Sequence, residues 1–420
     1  MMRALKIAVA IALALLFVVR QFYVNLLGID RSLFSAVFVV LMTLIGLVFL
    51  WHRIGRPSPR FLVVDAIIAA QLILSLVAIG AYWFLGTTNT AITVYAIYFY
   101  ALAPLLLYSG FYLRRVRAQH VQISLIASST VFIMMCIAGL FQVIGFDGWL
   151  FRNDNFEFQS TFLGTHRATG GYGTQIDFGL LSFIVFVCAF YIARERRSKL
   201  AVFMVLVGFG GILLAVSRVF IFAAVCVLIS SVRRSTFSRL FRQPKRLIPL
   251  AMGMLLVVIA VQQLDLITIF LAADTVTQSS NEDRITFLHN APRWALRDYP
   301  IEGTGPGTQN GPNEEMNKLI GDGLWLAMLI EFGLLVGLPI VLLKMALLVL
   351  VVRNFAKCNR KSAISCIACV LAICFLAASV VDSAFANVVS LSIFYVIAGW
   401  FLCDYYSERP TELLASAHAA

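Results

Sequence analysis

Apolar windows of about 18–20 residues recur along almost the whole chain. Each is long enough to cross a hydrocarbon core of ~30 Å as a helix rising 1.5 Å per residue. Lipid offers a backbone no hydrogen-bond partner, so only helices and closed barrels can live in it. Barrel strands would read as alternating segments of about ten residues, and these runs do not alternate. The pattern predicts an all-α polytopic membrane protein. Composition agrees: the 420 residues are 61% hydrophobic and only 13% charged, where soluble domains carry about 25% charged residues.

Twelve spans are expected at about 4–19, 33–51, 61–85, 91–110, 121–145, 176–193, 200–214, 217–232, 247–271, 323–343, 362–380 and 387–403, within one integral-membrane domain, 1–420. The opening run has Arg3 and Lys6 ahead of its apolar core, like a signal peptide. Val18, Val19, Arg20 and Gln21 follow it in place of a small-residue cleavage site, so it reads as a retained first span.

A net charge of +12 would suggest nucleic acid in a soluble chain. Here the cations alternate from connection to connection. One set holds Arg53, Arg56 and Arg60; Arg114, Arg115 and Arg117; Arg194, Arg196, Arg197 and Lys199; the basic run Arg233 to Arg246; and Arg353, Lys357, Arg360 and Lys361. The opposite connections are richer in acids than in bases. The positive-inside rule makes the basic side cytoplasmic and both termini with it. All eight cysteines fall in spans or on that side, so no disulfide framework is implied. Cys366 and Cys369 spell C-x-x-C inside an apolar helix with no second pair, and read as small core residues.

Two outward connections are long, 146–175 and 272–322. Long loops on a rigid scaffold are where function concentrates. Nucleotide energy is scarce outside the inner membrane, so chemistry there must draw on a bond already in its substrate. The chain has no Walker, dinucleotide-fingerprint, HExxH or nucleophile-elbow motif. Asn153-Asp154-Asn155 brings one carboxylate, a poor divalent-metal site. Neither metal nor cofactor is expected.

Arginine is what remains. Arg218 follows Lys199 by ~28 Å of helix, which sets it at the outer boundary among apolar neighbours. It reads either as a snorkelling anchor or as an anion-binding group at the mouth of an outward cavity. Arg284, Arg293 and Arg297 fall in 281–298, a short amphipathic helix split by Pro292; the turn-forming Gly303, Gly305, Pro306 and Gly307 follow. Arg284 would reach toward Arg218, and two guanidinium groups suit a diphosphate. The alternative pairs these arginines with Glu282, Asp283, Asp298 and Glu302 on the loop itself.

Among the acids, Asp322 opens the helix after the loop, and Glu331 lies ~13 Å deeper. Glu331 reads either as a functional intramembrane acid or as a helix-to-helix hydrogen bond. Asp177 opens span six, on the side of Arg167. Asp65 reads as a structural partner near the inner interface, five residues from Arg60. His166 and His289 lack a second histidine at ligand spacing and read as local hydrogen-bonding residues.

Ser217-Arg218 at the outer start of a short span resembles the S-R signature of the O-antigen ligase/polymerase superfamily. Arg284, Trp294, Tyr299-Pro300-Ile301 and Gly303-Thr304-Gly305-Pro306-Gly307 are similar to its arginine–tryptophan–glycine run. Asp322 to Trp325 with Glu331-Phe332-Gly333-Leu334 resembles its closing helix. Arg167, Gly170 and Tyr172 are a weaker match, and the likeness covers about 160–345.

That resemblance implies an inverting, metal-independent glycosyltransferase of GT-C type, using undecaprenyl-diphosphate-linked oligosaccharide. The ligases carry a His-Asn pair where this chain has Asp322-Gly323, so the resemblance favours a Wzy-type repeat-unit polymerase of O-antigen, capsule or exopolysaccharide. In that reading Arg218 and Arg284 hold the departing diphosphate and Asp322 is the candidate base, with Asp177 second. Arg167, Arg293, Asp177 and Glu331 form the expected substrate-binding set. A flippase and a chain-length regulator are the implied pathway partners. The rivals are an O-antigen ligase and a polysaccharide or lipid transporter; against transport, no repeat relates the two halves and the polar residues favour one face.

Overall fold

The computed structural model describes residues 31–55, 61–85, 93–94, 96–113, 118–143, 168, 175–196, 198–215, 217–231, 301, 303–306, 324–358, 362–381 and 388–408. Every secondary-structure element among them is helical. In order they are α1 (Arg31–Ile54), α2 (Leu62–Phe84), a π-helical turn (Ile97–Leu102), a 3-10 turn (Ala103–Leu105) and α3 (Leu106–Leu113). Then come α4 (Ala118–Val143), α5 (Gln175–Arg196), α6 (Lys199–Leu214) and α7 (Arg218–Ser231). The last group is α8 (Leu324–Phe332), a second π-helical turn (Gly333–Gly337), α9 (Leu338–Ala356), α10 (Ala363–Val381) and α11 (Val388–Glu408). Among the described residues, three stretches are long and apolar enough to cross a membrane: Leu62–Phe84, Ile176–Arg196 and Leu324–Ala356.

The helices overlap the expected spans, except 4–19 and 247–271, which lie outside the described residues. Two spans differ in form. The one expected at 91–110 changes winding at Ala103-Pro104, where proline withholds an N–H from the preceding turn. The one expected at 323–343 continues to Ala356 and is interrupted by the π turn just ahead of Pro339.

The faces show what these helices are solvated by. On α2 the buried positions recur at helical spacing and include Gln71 and Ser75, while Leu62, Val63, Ile73 and Val77 point outward and are exposed. A soluble helix would be turned the other way. Aliphatic side chains outside and polar ones inside suit a surface that meets hydrocarbon.

Where lipid is the solvent, helices are held by close packing more than by apolar burial. α3 and α11 meet at Gly110 and Gly399. A Cβ on Gly110 would overlap the Val396 carbonyl, and one on Gly399 the Leu107 carbonyl. α5 lies along α6, with Phe186 stacked on Phe190 and touching Phe209.

Polar ties mark one end of the bundle. Arg53 at the end of α1 pairs with Asp65 at the start of α2 at 2.6 Å, and its guanidinium lies over the Phe61 ring. Tyr108 donates its hydroxyl to Asp65 at 3.0 Å. Phe61 packs on Tyr406, whose hydroxyl accepts from Asn354 at 3.3 Å. Glu195 at the end of α5 accepts from the Ala363 N–H that opens α10. Asp65 is thus a structural partner as expected, but its cation is Arg53, because the end of α1 lies beside the start of α2. Arg60 lies outside the described residues.

Candidate functional site

The opposite end of the bundle carries a corner made by α5, α6 and α7. α6 stops at Leu214, with Ala215 as its C-cap. Ser217 opens the next helix by accepting from the Ile221 N–H at 3.0 Å. Arg218 is therefore the first residue of α7, where backbone amides face outward and the helix dipole is positive. Gly179 of α5 lies so close that a Cβ there would sit 2.9 Å from the Ser217 Cβ. Asp177 lies two residues earlier, in the first turn of α5, and is half-buried. Ala168, next in sequence to Arg167, donates its N–H to the Leu214 carbonyl at 3.1 Å and is fully buried. The corner thus joins Gly179 of α5, Ser217 at the head of α7 and the residue following Arg167.

Separately, the loop at 301–306 docks on the break between α8 and α9. Thr304 donates its N–H to the Ile330 carbonyl and Gly305 to the Glu331 carbonyl, each at 2.9 Å. Gly303 and Gly333 have φ of 68° and 66°, which an L side chain rarely adopts. Each lies against the other's backbone, so a Cβ on either would overlap main-chain atoms. The glycines singled out in the sequence and the Glu331-Phe332-Gly333 element are two halves of one interlock.

Glu331 is fully buried, and its carboxylate accepts the Tyr100 hydroxyl. Of the two roles open to it, the helix-to-helix hydrogen bond is present. The Tyr100 carbonyl accepts from Gln71 at 3.0 Å and from Ser75 at 3.3 Å, and its ring meets Phe332 edge-on at 4.7 Å. The Lys344 ammonium, also buried, stands 4.8 Å from the Phe99 ring centre and 5.6 Å from that of Tyr100. Tyr98 shares a hydrogen bond with Ser392 at 2.6 Å.

Of the expected site residues, Arg167, Arg284, Arg293 and Asp322 lie outside the described residues. Sequence reasoning missed Tyr100, Lys344, Gln71 and Ser75. A signal existed for three of them. Lys344 is a lone cation in the apolar run between Pro339 and Arg353, and Gln71 and Ser75 are polar residues one helical turn apart in an apolar span. Tyr100 among so many aromatics had none.

No protein-family model matches the chain, and no curated protein matches it. What the fold defines is an all-helical protein with apolar helices of membrane-spanning length.

Proposed function

We propose that this protein is a membrane glycosyltransferase that polymerises undecaprenyl-diphosphate-linked oligosaccharide repeat units by metal-independent, inverting transfer. Twelve spans, cytoplasmic termini and an active face on the outer side of a bacterial inner membrane belong to the same reading. The observation that carries it is the corner where Arg218 begins α7, with Ser217 packed on Gly179 of α5 and Ala168 bonded to Leu214 of α6. A helix start with a guanidinium at its first position favours a dianionic leaving group twice, through its free amides and through the fixed charge.

The chemistry runs as follows. The anomeric carbon separates from the diphosphate with oxocarbenium character, and negative charge develops on the leaving oxygens. Arg218 and Arg284 stabilise that charge. A hydroxyl of a second lipid-linked unit attacks from the opposite face, and Asp322, or Asp177, takes its proton. Arg167 and Arg293 orient the two oligosaccharides. The interlock of Gly303 with Gly333 adds support, since it makes one unit of two sequence elements that both resemble the superfamily pattern.

The test is polymer formation in proteoliposomes supplied with lipid-linked repeat units. Arg218→Ala and Arg284→Ala should each abolish the product ladder while the protein stays in the membrane. A full-length ladder from either variant would show the diphosphate clamp to be wrong. Transfer of single units to lipid A–core without a ladder would point to a ligase.

A further inference from the structure

We propose that Tyr100 and Lys344 are positioning residues that hold the 301–306 loop in place through Glu331. An uninterrupted α-helix would use the carbonyls of Ile330 and Glu331 for the N–H groups four residues on. The break at Gly333 lets the loop use them instead, through Thr304 and Gly305. The loop is therefore only as well placed as the last turn of α8. Glu331 is where that turn is tied to the rest of the bundle, by its bond from Tyr100.

Tyr100 is itself held from three sides: Gln71 and Ser75 on its carbonyl, Phe332 at its ring edge, and the Lys344 ammonium near its ring. The Lys344 Nζ also stands over the Phe99 ring, and an ammonium beside two aromatic rings is favoured by their quadrupoles. The strut runs from α2 and α9, through Tyr100 and Glu331, to the backbone that carries the loop. The docking stands whatever the substrate is; only its consequence for transfer rests on the glycosyltransferase reading.

Amide hydrogen exchange at Thr304 and Gly305, in nanodiscs without substrate, reads the docking directly. Tyr100→Phe removes only the hydroxyl and should speed exchange at both amides about tenfold or more, with α5 and α6 still protected. Lys344→Met should have a smaller effect in the same direction. Glu331→Gln keeps an acceptor for the Tyr100 hydroxyl and should retain protection, whereas Glu331→Leu should lose it. Unchanged exchange in Tyr100→Phe overturns the proposal, as does a Gln variant as loose as the Leu variant. If Tyr100→Phe fails to fold, the comparison of Gln with Leu at 331 decides the same question. Because no substrate is present, a negative result here is separable from a failure of the transfer reaction.

Discussion

Gly303 and Gly333 lie backbone against backbone, both in the left-handed region, with no room for a Cβ on either. Alanine at either position meets two penalties at once. The positive φ costs about 1–3 kcal/mol for a non-glycine residue, and main-chain overlap adds to it. Gly303→Ala and Gly333→Ala should each lower the thermal midpoint in detergent clearly and release the 301–306 loop. Gly210→Ala is the control, since a Cβ there meets nothing within 4 Å. It should be neutral or stabilise by up to ~1 kcal/mol, the helix propensity difference.

At the corner, charge alone should not suffice. Arg218→Lys keeps a cation at the first position of α7 but loses the planar, two-pronged donor. It should retain a small fraction of polymerising activity, reduced at least tenfold, where Arg218→Ala retains none. Ladder assays at matched protein levels check this; a fully active lysine variant would rule out bidentate recognition.

The helix pair α3–α11 gives a packing prediction. Gly399→Ala would drive a Cβ into the Leu107 carbonyl, and main chain cannot swing aside as a side chain can. Overpacking of this kind typically costs about 1–3 kcal/mol. Reduced yield and a lower unfolding midpoint are expected, with Gly110→Ala behaving alike because it faces the same contact from the other helix.

Arg53 is 8% exposed and lies between Asp65 and the Phe61 ring. Removing only the acid leaves a cation with its main partner gone, so Asp65→Leu should destabilise by about 1–3 kcal/mol. Replacing both, in Arg53→Met with Asp65→Leu, should cost less than Asp65→Leu alone, because no charge is left stranded. A double-mutant cycle on unfolding midpoints reads the difference.

Much of the scaffold was legible before any coordinates. The helices at 62–84, 175–196, 199–214 and 363–381 follow the apolar windows closely, because a helix satisfies its hydrogen bonds within its own segment. The glycine turn at 303–305 was legible as a turn for the same local reason. Its destination was not, nor was the capture of the Tyr100 carbonyl by Gln71 and Ser75 from another helix.

By itself, then, the amino-acid order determined that this chain is an apolar helical protein, where its helices run and that Arg218 starts one of them. Those properties are encoded over a few residues at a time, by the spacing of apolar groups and the demand for backbone hydrogen bonds. Only the tertiary structure decided that Asp65 pairs with Arg53, that Gly179 packs on Ser217, and that Glu331 is held by Tyr100 across 231 residues. Such pairings depend on which helix faces meet, and no local pattern records that.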